Sequence, residues 1–228
     1  MVEIKLKKRF EEKGRVPLII DFECTLSKGE VVAVFGPSGS GKTSILKMLS
    51  GIIKAQESFI KMGDEIIEDT SSGIRLSLSD RKVSMVFQDR VLFPHMSVLQ
   101  HIDYAAHSSL DLQDKNYIME HLDLKELKEF RPHQLSGGQA QCLSIAINIL
   151  AKPKLLLLDE PVSALDYSLR KRILKNVKAL LSKYSISTLV VSHYPMTLNY
   201  LSERVLFLDN GKVQQTLTIK EAQSFLPI

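Results

Sequence analysis

Apolar residues fall on alternate positions at Ile4 and Leu6, and again at Leu18, Ile20, Phe22 and Cys24. That spacing predicts strands covered on one face, because successive side chains of an extended chain point to opposite sides. The pattern then changes. Residues 31–35 are a continuous β-branched and aromatic run, and residues 83–87 and 155–158 read the same way, as strands buried on both faces of a sheet. A glycine-rich loop follows the first of these runs and leads into a helix over 44–49. Helical spacing also appears over 95–106, 114–121 and 137–150. It is clearest over 168–183, where Leu169, Ile173, Val177, Leu180 and Leu181 stand opposite Arg170, Lys171, Lys175 and Lys178. Two more strands are predicted over 187–191 and 205–208. The second runs into Asp209-Asn210-Gly211, a hairpin turn before Lys212-Val213.

Strands alternating with helices predict an α/β protein with a sheet core. No repeat, low-complexity tract or separating linker interrupts the chain, so the expectation is one domain over 1–228. Within it, 1–88 and 151–228 would form the α/β core and 89–150 an inserted helical subdomain. Composition narrows the class. With 44% hydrophobic and 25% charged residues the chain reads as an ordinary globular protein, and a net charge of +4 without a basic block interleaved with aromatics gives no nucleic-acid partner. The longest apolar runs, such as 16–20 and 155–158, fall far short of the roughly 20 residues of a membrane helix. The charged N-terminus has no apolar signal core. Cys24 and Cys142 lack metal-ligand spacing and read as reduced packing residues.

Three motifs carry chemistry. Gly36-Pro37-Ser38-Gly39-Ser40-Gly41-Lys42-Thr43 fits the phosphate-binding loop, in which backbone N–H groups surround phosphate oxygens. Lys42 would add a point charge at the β- and γ-phosphates, and Thr43 a hydroxyl for Mg²⁺. The helix that begins there, at Ser44, aims its positive end at the same anion. Asp159 and Glu160 close the run 155–158. A buried parallel strand would deliver both carboxylates beside the phosphates, Asp159 for Mg²⁺ and Glu160 to polarise an attacking water. In Leu135-Ser136-Gly137-Gly138-Gln139, the serine and two glycines open a helix with a flat N-terminus suited to a phosphate.

On these residues the chain resembles the nucleotide-binding subunits of ABC transporters, whose signature is LSGGQ. The resemblance covers nearly the whole chain. It implies a P-loop NTPase fold of ABC type, with a mixed sheet, an antiparallel β part and the helical insertion. It also implies ATP and Mg²⁺ as cofactors, and a head-to-tail homodimer in which Ser136, Gly137, Gly138 and Gln139 cap the ATP held by the other subunit. Gln88 matches the glutamine that touches Mg²⁺ and the transport partner. Residues 163–166 match the loop that contacts the opposite subunit and His193 the histidine that contacts the γ-phosphate; Phe10 is the candidate to stack on adenine, or else a packing residue of the first hairpin. The helical insertion would dock a membrane permease near His95 and Met96, placing the chain on the cytoplasmic face of the cell's inner membrane. A solute-binding protein would be an indirect partner.

Within the family, LIIDFECTLSKGEVVAVFGPSGSGKTS and LSLSDRKVSMVFQDRVLFPHMSV are similar to the molybdate-importer ATPases and their relatives for other oxyanions, iron and polyamines. Those relatives often carry a further C-terminal regulatory domain, which is not expected here. The chain departs from the family pattern at Cys142 and Asn148, where arginines are usual, and at Tyr194, where an acidic residue is common. Gln56 and Ser58 stand for a proline and a glycine. An ABC ATPase working outside transport, and a non-hydrolysing nucleotide-binding module, are the other readings.

Overall fold

A computed structural model describes residues 1–11, 17–89, 91–106 and 112–225. Val16 of the 16–20 run, residue 90 and residues 107–111 of the helical insertion, and residues 226–228 at the expected end of the domain lie outside the described residues. The predicted alternation produces β1 (Val2–Phe10) and β2 (Leu18–Leu26), paired antiparallel. β3 (Val31–Phe35) follows, then α1 (Lys42–Leu49), β4 (Glu57–Met62), β5 (Glu65–Asp69), the short β6 (Ile74–Arg75) and β7 (Val83–Val86). The helical stretch holds α2 (Val98–Ala105), α3 (Leu112–His121) and α4 (Gly137–Leu150). β8 (Leu155–Asp159), α5 (Tyr167–Lys183), β9 (Ser187–Val191), α6 (Pro195–Leu201), β10 (Arg204–Asp209), β11 (Lys212–Thr218) and α7 (Ile219–Phe225) complete the order.

The eleven strands among the described residues join one sheet in the order β6-β5-β4-β1-β2-β11-β10-β3-β9-β8-β7. The outer part, β6 to β2, is antiparallel, whereas β10, β3, β9, β8 and β7 run parallel. The predicted Asp209-Asn210-Gly211 turn closes the β10–β11 hairpin, with Asp209 opposite Lys212.

The unbroken apolar runs are explained by what lies on each face. In β3, Val31 and Ala33 pack into one core and Val32 and Val34 into another on the opposite side of the sheet; in β8, Leu156 and Leu158 divide from Leu155 and Leu157 in the same way. The first core is filled by α2 to α6, the second by α1 and the antiparallel strands.

Expected boundaries shift by one to three residues, as where the helix read from 44 begins at Lys42. The helix read over 95–106 starts at Val98, because Ser97 caps it: the Gln100 N–H donates to Ser97 Oγ, and the Ser97 N–H donates to Gln100 Oε1. His95 and Met96 therefore sit in the turn before the helix. The departures at Cys142 and Asn148 are absorbed locally. Cys142 is buried, and Asn148 Nδ2 donates to the Ser144 carbonyl one turn back.

Burial pushes the Cys24 thiol up to about 11 and the Cys142 thiol up to about 12. Since the thiolate is the nucleophile, neither is expected to react with a disulfide reagent in the native protein at pH 8. A thiol titration should show both reacting once denaturant is added, and fast labelling of the folded protein would contradict this packing.

Candidate functional site

β3, β9, β8 and β7 are parallel, so their C-terminal ends open on one edge of the sheet, where such folds gather ligands. Four candidate segments leave from that edge: the glycine-rich loop after β3, His193 after β9, Asp159 and Glu160 at the end of β8, and Gln88 just past β7. They surround one cavity of about 710 Å³. Gly36, Ser38, Gly39, Gly41, Lys42, Thr43, Ser44, Gln88, Asp159, Glu160 and His193 all line it, with Leu18 and Val191.

The loop carries its own cation. Lys42 Nζ donates to the carbonyls of Gly36 at 2.9 Å and Pro37 at 2.7 Å, folding the side chain over the loop. Burial lowers the pKa of this ammonium, and the nearby Glu160 and Asp159 carboxylates oppose that shift. Pro37 and Ser40 do not line the cavity. Ser40 is buried, and its Oγ has no hydrogen-bond partner among the described residues.

Thr43 Oγ1 donates to Asp159 Oδ1 at 3.2 Å, bringing a hydroxyl and a carboxylate from distant parts of the chain together. Burial raises the Asp159 pKa, the Thr43 hydroxyl opposes the shift, and the Glu160 charge adds to it. Hard oxygen donors, few in number and beside an open cavity, fit Mg²⁺, which keeps several waters and phosphate oxygens in its shell. Among the described residues no cluster of three His, Cys, Asp or Glu side chains exists to suit a softer metal.

An acid whose folded pKa is raised opposes folding above that pKa, and the opposition fades as pH falls through it. Asp159→Asn is therefore expected to leave the melting temperature of the ligand-free protein unchanged or raised by about 2–4 °C, the change roughly 1 kcal/mol makes in a chain this size. The same variant should lose Mg²⁺-dependent stabilisation by nucleotide. In the unaltered protein, that stabilisation should weaken on acidification at a higher pH than an ordinary aspartate would give. A melting series with ADP, with and without Mg²⁺, checks both. A destabilised ligand-free variant would contradict the burial argument.

Glu160 is held from three sides. Ser192 Oγ donates to its Oε2 at 3.0 Å, while the His193 N–H at 3.0 Å and His193 Nδ1 at 2.7 Å both meet Oε1. Facing a carboxylate, Nδ1 carries the proton. Glu160 itself sits at φ 49, a left-handed geometry that costs a side-chain-bearing residue about 1–2 kcal/mol. Its N–H donates to the Val191 carbonyl at 2.9 Å, which ties that geometry to β9. Ser192 was not anticipated from the sequence. It is fully buried between the apolar run of β9 and His193, and a lone hydroxyl there was the available signal.

The remaining candidates lie elsewhere. Phe10 is outside the cavity lining, half-buried at the end of β1 with Lys8 Nζ 5.4 Å from its ring centre. Its cross-strand partner Leu18 lines the cavity instead. Ser136 and Gln139 cap α4 reciprocally: the Ser136 N–H donates to Gln139 Oε1, and the Gln139 N–H donates to Ser136 Oγ. None of Ser136, Gly137, Gly138 or Gln139 lines the cavity. Gly138 packs against Leu165, since a Cβ there would stand 2.5 Å from Leu165 Cδ2. The signature turn thus presses on the 163–166 loop.

The ABC transporter family model matches residues 19–163, more than half of the chain. A spermidine/putrescine import ATP-binding protein of Mannheimia succiniciproducens is 35% identical over 221 residues, covering 94% of this chain and 57% of the relative. A molybdenum import ATP-binding protein of Azotobacter vinelandii is 34% identical over 213 residues, covering 92% of this chain and 59% of the relative. The chain thus spans less than two thirds of the length of these curated relatives. Among solved structures, an ATP-binding cassette in a dimeric post-hydrolysis state with ADP and Pi superposes with a TM-score of 0.78. It is 24% identical, and the match covers 96% of this chain and 99% of that one.

Proposed function

The chain belongs to the ABC transporter family, and from that premise we propose that it binds and hydrolyses ATP to drive a separate membrane permease. The observation that carries this reading is the convergence on one cavity of the glycine-rich loop, the Thr43–Asp159 contact and the Glu160–His193 pair. In this reading the loop N–H groups and Lys42 hold the phosphates, and Lys42 exchanges its contacts with the Gly36 and Pro37 carbonyls for phosphate oxygens. Thr43, Asp159 and Gln88 would hold Mg²⁺, which when bound offsets charge on the β- and γ-phosphates. Glu160 accepts the proton of the attacking water, and His193 reaches the γ-phosphate through Nε2.

In this reading the signature turn, which stands apart from this cavity, closes a site on a second chain. We propose a head-to-tail dimer in which Ser136 to Gln139 of each chain close the other chain's site, excluding water. ATP then binds the closed dimer better than the open one, and that difference is what can move a partner. The exposed Val91, Phe93 and Tyr104, beside Gln88 and α2, suit contact with a permease. Residues 89–150 would form the docking subdomain, and the chain would sit on the cytoplasmic face of the inner membrane. Among the described residues no helix is long and apolar enough to cross a membrane.

The solute is proposed to be molybdate or a related oxyanion, taken in with the help of a solute-binding protein. A polyamine is the second reading, favoured by the comparable likeness to the spermidine/putrescine protein. Co-purification of the tagged protein from native membranes, with partners identified by mass spectrometry, tests the assignment. A multi-span permease is expected. Soluble partners alone, from a protein that still turns over ATP, would point to an ABC ATPase outside transport.

A further inference from the structure

We propose that Tyr194 and Arg170 are positioning residues that hold the His193 imidazole against Glu160; this rests on the ATPase reading above. The His193 side chain is 59% exposed, so its bond to Glu160 does not by itself immobilise the ring. Tyr194 supplies a second contact. Its ring centre lies 4.1 Å from that of His193, with the planes at 35°. Tyr194 is anchored in turn, because its N–H donates to Ser192 Oγ at 3.1 Å, the same hydroxyl that donates to Glu160.

Arg170 steadies the ring from α5. Its Cζ lies 4.2 Å from the Tyr194 ring centre, the geometry in which a guanidinium is drawn to the electron-rich face of an aromatic. Its Nη2 donates to the Leu165 carbonyl at 2.9 Å, fixing the guanidinium to the 163–166 loop. Leu165 is the residue against which Gly138 packs. A continuous line of contacts therefore runs from the first turn of α4 through Leu165, Arg170 and Tyr194 to His193 and Glu160. An acidic residue at 194 could pair with Arg170 but would offer the imidazole no ring. The tyrosine does both. Neither residue lines the phosphate cavity, so both act through His193.

Steady-state ATP turnover tests this in the unaltered protein, Tyr194→Ala, Tyr194→Phe and Arg170→Ala, each also made in a His193→Ala background. Tyr194→Ala and Arg170→Ala are expected to lower kcat about 10-fold or more, since small misplacements of a catalytic group are costly, with KM within about twofold. Tyr194→Phe keeps the ring and should recover most of the rate. In the His193→Ala background, Tyr194→Ala should add nothing, because the group it positions is gone. Undiminished kcat in Tyr194→Ala, no rescue by phenylalanine, or losses that add to that of His193→Ala would each overturn the proposal. A second readout does not depend on turnover. In proton NMR spectra the His193 ring C–H signals should carry a ring-current shift from Tyr194, and Arg170→Ala should reduce it. Signals unmoved by Arg170→Ala would overturn the positioning claim, whereas an unaltered protein that turns over no ATP would overturn the ATPase reading itself.

Discussion

Replacing Glu160 with glutamine is expected to slow ATP hydrolysis by about 10²–10⁴-fold, the range associated with removing a general base, while leaving ATP binding intact. The geometry favours this substitution over others. Glutamine keeps a carbonyl oxygen for the His193 N–H and Nδ1–H, and Ser192 Oγ can turn to accept from the new amide instead of donating. The backbone of residue 160, already at φ 49, is asked to do nothing new. What is lost is the basic carboxylate. Glu160→Ala, by contrast, would leave those donors without their partner and confound rate with stability. Phosphate release measured under single-turnover conditions checks the first expectation, and ATP-dependent dimer measured by size exclusion checks the second. Unchanged hydrolysis would remove Glu160 from its assigned role.

Gly36→Ala is expected to abolish nucleotide binding and destabilise the fold together. An added Cβ would stand 2.0 Å from the Leu208 carbonyl oxygen and 3.0 Å from its carbon. Both are backbone atoms of β10, which pairs with β3 as far as Phe207 and with β11 at Leu208, so they cannot yield as a flexible side chain would. Overpacking of this kind costs about 1–3 kcal/mol or more, or about 2–4 °C of melting temperature per kcal/mol in a chain of this size. The loop must move to relieve the clash, and with it the Gly36 carbonyl that Lys42 contacts. Gly39→Ala is the control. That residue has φ +81 but nothing within 4 Å of the added carbon, so only backbone strain of roughly 1 kcal/mol is introduced. Melting curves and ADP binding should rank Gly36→Ala well below Gly39→Ala. Equal behaviour would contradict the close approach of the loop to β10.

The parts of the site that were legible in the sequence are those where one local pattern fixes both backbone and chemistry. The run from 155 to 158 ends in Asp159 because a strand buried on both faces needs apolar residues at every position until it reaches the sheet edge. The glycine-rich loop and the signature could likewise be placed on element boundaries. Less visible was the β4–β5 hairpin, where inward positions are polar. Ser58 and Glu68 are buried there, Ser58 Oγ donating to Glu68 Oε1 at 2.8 Å while Arg81 closes the network as Glu68's ion-pair partner. A hydrophobic pattern reads such residues as outward-facing. The serine at 58 that departs from the family's glycine thus has a structural use. The contacts of Ser192 and Tyr194 are hidden for a different reason: their partners Glu160 and Arg170 lie more than twenty residues away, and only the fold brings them together. Phe10 lies outside the cavity lining, whereas its cross-strand partner Leu18 lines it, a difference that only the strand pairing reveals.

In the proposed dimer one chain carries only part of each site, with phosphate loop and carboxylates in one cavity and the signature turn outside it. The most direct test is ATP turnover per chain measured across a wide range of protein concentration at saturating Mg·ATP. Turnover per chain should rise with concentration and then level off as dimers fill, and Ser136→Arg should remove the activity without removing ADP binding. Turnover per chain that is flat down to concentrations at which the protein is monomeric would contradict the account.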